Sequence, residues 1–307
     1  MRILVSGSSG FVGQRIIDVL RKRGHWIREF DSKKGNDVLS FGQCKEACNS
    51  IDVVLHLAAV LDEHSAIMHK VNVEGTENLI KAAVENNVSR FILMSSVGVY
   101  GDCTEVKTEE SKLNPKTSYE KSKMLAEQAV NEYQELITVN ILRPAIILGQ
   151  NEYWEKIVDL IRKDFPLIGN GENKWQMIYV TDLINALVFV IEHKKTAGEI
   201  LNIAEENPLT LKEVVIEIRK TLGMDENQKT LPPLLGKILA YIYLVFGKLI
   251  GKKSIVSPEH LDRLNRGRWY SIEKIKTLGW QPSWDTREAI ARTVFEIKEK
   301  EKKFKKQ

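Results

Sequence analysis

The sequence predicts an α/β protein, a doubly wound parallel sheet followed by a smaller mixed lobe. Three observations carry this. Short runs rich in Ile, Leu and Val recur through the first half, helix-length segments lie between them, and a glycine-rich turn follows the first run at once. The runs are RILVS, WIREF, DVVLHLA, FILMSS and TVNILRP. Near-continuous apolar runs of this kind suit parallel strands covered by helices on both faces.

The elements follow in order. After the first strand, Val12, Ile16, Val19 and Leu20 make one apolar helix face, Arg21 to Arg23 gather positive charge in the last turn, and Gly24 is placed as a C-terminal cap. The second strand ends on Asp31. Asp37 and Val38 precede a further helix, and the third strand closes on Leu57, Ala58 and Ala59. The fourth ends in Ser95 and Ser96; the next helix carries Tyr119 and Lys123 with Met124, Leu125 and Ala129 among its apolar positions. After about Pro144 the alternation weakens, and Tyr153 to Arg162 and Leu209 to Leu222 read as helices between loops. Residues 1–150 are therefore expected to form the sheet domain and 151–307 the substrate lobe, with one strand around 199–204 returning to the main sheet.

At 307 residues and 43% hydrophobic content the chain can bury a sizeable core. Its net charge of +4 is a small difference between 45 basic and 41 acidic residues, with much of the excess in the terminal KEKEKKFKKQ, so no nucleic-acid partner is expected. Cys44, Cys48 and Cys103 make neither a disulfide framework nor a complete zinc ligand set; no metal is expected, and a reducing, cytoplasmic setting is. The chain opens on a strand rather than a signal peptide. The apolar segment 231–253 has its longest lysine-free run from Ile238 to Gly247, short of the ~20 residues of a membrane span. It reads as a helix on or over a pocket, with membrane-surface contact as the alternative.

Gly7, Gly10 and Gly13 lie in GSSGFVG between the first strand and the first helix. Glycines at these places permit a tight turn, close approach of a pyrophosphate, and close packing of helix on strand, while Phe11 and Val12 open a helix whose first N–H groups are free. This is a Rossmann-like nucleotide site. Asp31, eighteen residues beyond Gly13, is placed to accept the adenosine ribose hydroxyls and to repel a 2′-phosphate, which favours NAD; Lys33 and Lys34 leave NADP open. Small residues at Leu57, Ala58 and Ala59 leave room beside a cofactor.

Tyr119 and Lys123 are four apart, which places both on one helical face. An ammonium beside a phenol favours the phenolate and lowers its pKa from about 10, so this tyrosine is expected to exchange a proton with a secondary alcohol. Ser96, at a strand end, is placed to hydrogen-bond the same oxygen.

In this order the motifs resemble the extended short-chain dehydrogenase/reductases, the NAD-dependent epimerase/dehydratase family. GSSGFVG, HLAA, VNVEGTENLIKAA with Asn72 and Thr76, SSVGVYG, YEKSK, LRPAIILG, YVTDLINAL and KIKTLGWQP each match a landmark of that family. The resemblance implies Tyr119 as acid/base, Lys123 as its tuner and a contact of the nicotinamide ribose, and Ser96 as partner of the substrate oxygen. It also implies cofactor contacts from Ser95, Asp37 and Val38, and a homodimer. Two departures bear on substrate. Val97 and Gly98 follow Ser96 where dehydratases carry an acidic pair, so dehydration is not expected. Trp175 stands where nucleotide-sugar epimerases carry an arginine for the diphosphate, leaving Lys174 or Arg268 to substitute. The expected substrate is the secondary alcohol or ketone of a sugar or nucleotide sugar. The alternatives are a steroid- or flavonoid-type reductase and a non-catalytic dinucleotide sensor.

Overall fold

The computed structural model describes residues 1–236, 238 and 263–304. Six parallel strands, β1 (Arg2–Ser6), β2 (Trp26–Phe30), β3 (Val53–His56), β4 (Arg90–Met94), β5 (Thr138–Pro144) and β10 (Ile200–Ile203), stand in the order β2-β1-β3-β4-β5-β10. The apolar runs end up buried on both sides because successive side chains point to opposite faces. Ile3 and Val5 pack into the cluster beneath α1 (Phe11–Lys22) and α6 (Val180–Glu192), while Leu4 packs into the cluster beneath α2 (Phe41–Cys48), α3 (Gly75–Glu85) and α4 (Ser118–Asn131). Val53 and Leu55 divide from Val54 in the same way, and Ile92 from Phe91 and Leu93. Each such fully buried side chain contributes about 1.5–3 kcal/mol.

The first helix is amphipathic as expected: Val12, Ile16 and Leu20 are buried, Ile17 joins them, and Gly24 takes a φ of +81° just past the helix end. Other ends are fixed by caps. Thr117 and Glu120 form a reciprocal capping box at the start of α4, as Thr210 and Glu213 do for α7 (Leu211–Leu222), each of the order of 1 kcal/mol. Lys70–Glu74 leads into α3 as a π-helical turn, a feature the apolar pattern does not announce.

Beyond β5 the chain leaves the sheet through short strands, β6 (Ile146–Leu148), β7 (Leu167–Ile168), β8 (Lys174–Trp175) and β9 (Met177–Tyr179), with α5 (Glu152–Arg162) between the first two. It then comes back. α6 lies against α1, and β10 pairs with β5, so part of the sheet comes from residues after 150. The lobe resumes with β11 (Leu209–Thr210), α7, β12 (Thr230–Leu231), α8 (Glu273–Leu278) and α9 (Thr286–Phe304). Most of the apolar segment 231–253 lies outside the described residues. Among the described residues no helix is long and apolar enough to cross a membrane.

One ionic network fastens α4 to the carboxyl end of the sheet. Arg143 of β5 grips Glu127 of α4 with two hydrogen bonds of 3.0 and 2.6 Å, and both side chains are 3% exposed. Glu127 also accepts from the Ser95 hydroxyl, and Arg143 donates to Tyr100, whose hydroxyl reaches Asn202 at the end of β10. Removing one partner of such a pair strands a charge in the core, so Arg143→Met is expected to lower stability by about 3–5 kcal/mol. The urea midpoint should fall with the m-value unchanged; a shift below about 1 kcal/mol would show that the pair does not hold the helix.

Candidate active site

The sheet order changes direction between β1 and β3, and the crevice at their carboxyl ends is where open α/β sheets take ligands. The glycine loop sits there. Gly7 has φ +68°, and a Cβ on it would meet the backbone of Leu57 and Ala58 at 2.7–2.8 Å; one on Gly13 would lie 2.2 Å from the Gly7 carbonyl oxygen. The loop is thus closed against β3 and α1 with no room for side chains at these two points. α1 follows Gly10, which offers no side-chain cap, and has no acid in its first turn, so the N–H groups of Phe11, Val12 and Gly13 remain free for an anion. Beneath the loop the buried Ser8 hydroxyl finds no partner among the described residues. This cradle fits a dinucleotide pyrophosphate.

Asp31 accepts from the Ser9 N–H and the Lys33 N–H, each at 2.9 Å, one on each carboxylate oxygen. Lone pairs remain on both oxygens, and a 2′-phosphate would face this carboxylate. Lys34 is turned back onto Glu29, and Lys33 is exposed, so the cations that would favour NADP are not gathered at Asp31. Asp37 is exposed and folds its carboxylate onto the Leu39 N–H, whereas Val38 is buried against Gly75. Phe11 is half-buried beneath the Arg15 guanidinium, 4.1 Å from its ring, and the Val12 side chain is in the core, which leaves its N–H as the part that faces a ligand. Leu57 is buried; Ala58 and Ala59 are half-buried at the crevice.

A neutral relay stands behind the loop. The Leu57 and Ala58 N–H groups donate to Ser6 Oγ, which pairs with His56 Nδ1 at 2.6 Å; His56 Nε2 pairs with Thr76 Oγ1 at 2.9 Å, and Thr76 donates to the Asn72 carbonyl. Thr76 has spent its proton, so His56 must donate from Nε2 and accept at Nδ1. Asn72 then bridges Val60 and Ser122, and Ser122 donates to the Tyr119 carbonyl. The end of β3 is in this way connected to the first turn of α4. The sequence showed Asn72 and Thr76 only as family landmarks, and His56 and Ser122 only as letters of the HLAA and YEKSK motifs, with no role assigned to either.

Ser96 caps the 3-10 turn that follows β4 by accepting from the Gly98 N–H at 3.0 Å, and it stays half-buried at the strand end. Ser95 is turned the other way: its hydroxyl is buried on Glu127, so its side chain is not available to a cofactor. Lys123 is 4% exposed, and its ammonium donates to the Met94 carbonyl at 2.8 Å. Burial lowers its pKa to about 8, with Glu127, one turn on, opposing the shift. Tyr119 departs from the expectation set by the i, i+4 spacing. Burial pushes its phenol up to about 12, and the cation that pulls it down is Arg263, while Glu120 and Glu63 push it further up. The physical reason is the direction of the lysine stem, which carries the ammonium to the sheet edge. Arg263 is paired with Glu63 at 3.2 Å and Arg266 with Glu120 at 3.2 Å, both residues the sequence reading had not singled out, although RLNRGR displays them.

Lys174 is exposed, and Trp175 is 1% exposed with the Arg268 guanidinium 4.7 Å from its ring. Of the two substitutes for the missing arginine, Arg268 is the one held beside it.

The family model of the NAD-dependent epimerase/dehydratase family matches residues 3–204. The chain belongs to that family. It is an NAD-dependent enzyme of the extended short-chain dehydrogenase/reductase type. It is 25% identical, over 95% of its length and 94% of the relative's, to an N-acetyl-alpha-D-glucosaminyl-diphospho-ditrans,octacis-undecaprenol 4-epimerase of Escherichia coli O157:H7. It is 26% identical, over 94% and 89%, to a 3-beta-hydroxysteroid dehydrogenase of Mycolicibacterium neoaurum. The fold is shared with the UDP-glucuronic acid 4-epimerase of Bacillus cereus in complex with NAD, with a TM-score of 0.76, 21% identity, and coverage of 97% of this chain and 99% of that one.

The relay makes a testable demand. Burial, aided by the Lys123 charge, lowers the pKa of His56 to about 3, so it stays neutral at working pH. The unfolded chain takes up this proton near pH 6.5 and the folded one does not, so stability falls as pH drops from about 6.5 toward 3, by about 1.4 kcal/mol per unit from this group alone. Nitrogen-detected NMR should show the Nε2–H tautomer of His56 unchanged from pH 9 to pH 5. A titration with a midpoint near 6 would break the relay as drawn.

Proposed function

We propose that the protein interconverts a secondary alcohol and its ketone on a sugar or nucleotide sugar, as the two half-reactions of an epimerisation. The observation that carries this is Lys123: a nearly buried ammonium at the carboxyl edge of the sheet, one helical turn from Tyr119 and hydrogen-bonded to Met94, the last residue of β4 and two before Ser96. A buried lysine with no carboxylate hydrogen-bonded to it among the described residues is costly to keep for packing alone.

The N–H groups of Phe11, Val12 and Gly13 would hold the pyrophosphate of NAD, Asp31 its adenosine ribose, with Gly7, Gly10, Ala58 and Ala59 giving the close approach. When bound, NAD supplies the acceptor for the hydrogen removed from carbon, and in its oxidised form a positive charge. Tyr119 takes the proton from the substrate hydroxyl and returns it to the ketone, while Ser96 donates to the same oxygen and fixes its position. At a pKa of about 12 the phenol keeps its proton at neutral pH, which suits delivery to the ketone. Proton abstraction needs added positive charge beside it, of which Arg263 supplies a part. Arg263 and Arg268 are the groups placed to meet an anionic substituent of the substrate where Trp175 replaces the usual arginine.

Tyr119→Phe is expected to lower kcat about 10²- to 10⁴-fold with NADH affinity unchanged. Turnover equal to wild type would overturn the assignment. Mass spectrometry of the small molecules released on denaturation separates the two uses of the same chemistry. An epimerase retains NAD through desalting because the ketone must be reduced again in place; a steroid-type dehydrogenase comes out empty and exchanges cofactor freely.

A further inference from the structure

Trp175 stands between two unlike surfaces. Arg268 lies over its ring and is held there by the carbonyls of Arg263 and Arg266, at 2.6 and 3.2 Å. Arg263 reaches Glu63, and Arg266 reaches Glu120, the residue after Tyr119. Three guanidiniums face two carboxylates, so the cluster keeps an excess positive charge close to the phenol. Arg268, spread over an indole and tied to backbone carbonyls, has no carboxylate of its own among the described residues.

The same indole lines a partly open cavity of about 100 Å³ together with Trp154, Phe165, Ile168, Val214 and Leu264. Among the described lining residues Gln228 is the one uncharged polar side chain, and its amide is already engaged by Phe165, Lys229 and Arg219. The indole N–H groups are spent too, Trp154 on the Ile147 carbonyl and Trp175 on that of Leu264. The polar side chains of the lining are thus already engaged, its surface is almost wholly apolar, and apolar cavities of up to about 150 Å³ accept hydrocarbon guests. Apolar surface continues outward: Gly236 packs on Ile168, and the two leucines before it, Leu234 and Leu235, are exposed.

We propose that the lobe recognises an amphiphile, with a phosphate or diphosphate ester on Arg263 and Arg268 and its hydrocarbon portion in the cavity beside Trp175. Charge and apolarity meet at one residue, which a soluble nucleotide has no use for and a lipid-linked phosphate does. The proposal deepens the reading above and rests on it only for the chemistry at Tyr119.

The test is binding by titration calorimetry to the full-length protein of three probes that share a diphosphate: farnesyl diphosphate, UDP and inorganic diphosphate. Farnesyl diphosphate is expected to bind at least tenfold more tightly than either of the others. Val214→Phe, which fills the cavity, is expected to reduce that advantage below threefold while affinities for inorganic diphosphate and NADH stay at wild-type values. Ile168→Phe, on another element, serves the same purpose should Val214→Phe lose NADH binding. Equal binding of the three probes, tighter binding of UDP, or an advantage that survives filling of the cavity would each overturn the proposal. These outcomes are independent of the hydrogen-transfer chemistry, whose failure would appear instead as full turnover by Tyr119→Phe.

Discussion

The ion pair between Glu127 and Arg143 is the constraint on which the site depends. Two charges taken out of water are tolerable only where hydrogen bonds satisfy both, and here Ser95 just past β4, Tyr100 in the turn beyond it, the Glu109 carbonyl and, through Tyr100, Asn202 of β10 complete the set. The pair fixes how far α4 slides along the sheet. Lys123 is one turn earlier on that helix and Tyr119 two, so a shift of the helix would carry the ammonium off the Met94 carbonyl and move the phenol with it. The charged anchor sits one and two turns along α4 from Lys123 and Tyr119, and the neutral relay through His56 ends on the Tyr119 carbonyl. A charged relay there would have added a second cation next to Lys123, further lowering its already depressed pKa; burial of His56 avoids this.

The same economy of charge explains the other half of the site. α1 presents N–H groups without a competing acid, and Asp31, at the end of the next strand, is held by two backbone donors where the proposed reading puts a ribose rather than a phosphate. Across the crevice the arginines of the lobe are mostly paired, so the anion they would receive meets a modest excess of charge rather than a bare cluster.

Much of this was legible in the chain. The parallel sheet could be read because its inner strands are buried on both faces, so their runs are largely apolar, and the glycine loop because backbone packing against Ala58 and α1 admits no side chain at Gly7 or Gly13. The lobe was less legible: β7, β8, β11 and β12 are two residues each, too short to express any period. What spacing could not give was direction. It placed Tyr119 and Lys123 on one face correctly, yet a long flexible stem decides where the ammonium goes, and the Met94 carbonyl captures it. Ser95 beside Ser96 shows the same limit, since adjacent strand-end residues face opposite ways and only one can serve the crevice. The relay joins residues 20 to 50 positions apart, His56 to Ser6 and Thr76, Asn72 to Ser122, and no local pattern records such pairings.

The return of the chain to pair β10 with β5 has a bearing on how such a protein can be remade. The lobe is not a module appended to a finished sheet but a pair of excursions from it, one between β5 and α6 and one after β10. Either excursion can be lengthened, shortened or exchanged with every ladder bond of the sheet left in place, which gives substrate choice room to drift under a constant chemistry. Cutting the chain after β5 is a different matter: it would bare the flank of a strand whose residues are nearly all buried, an open invitation to pair with a neighbouring molecule.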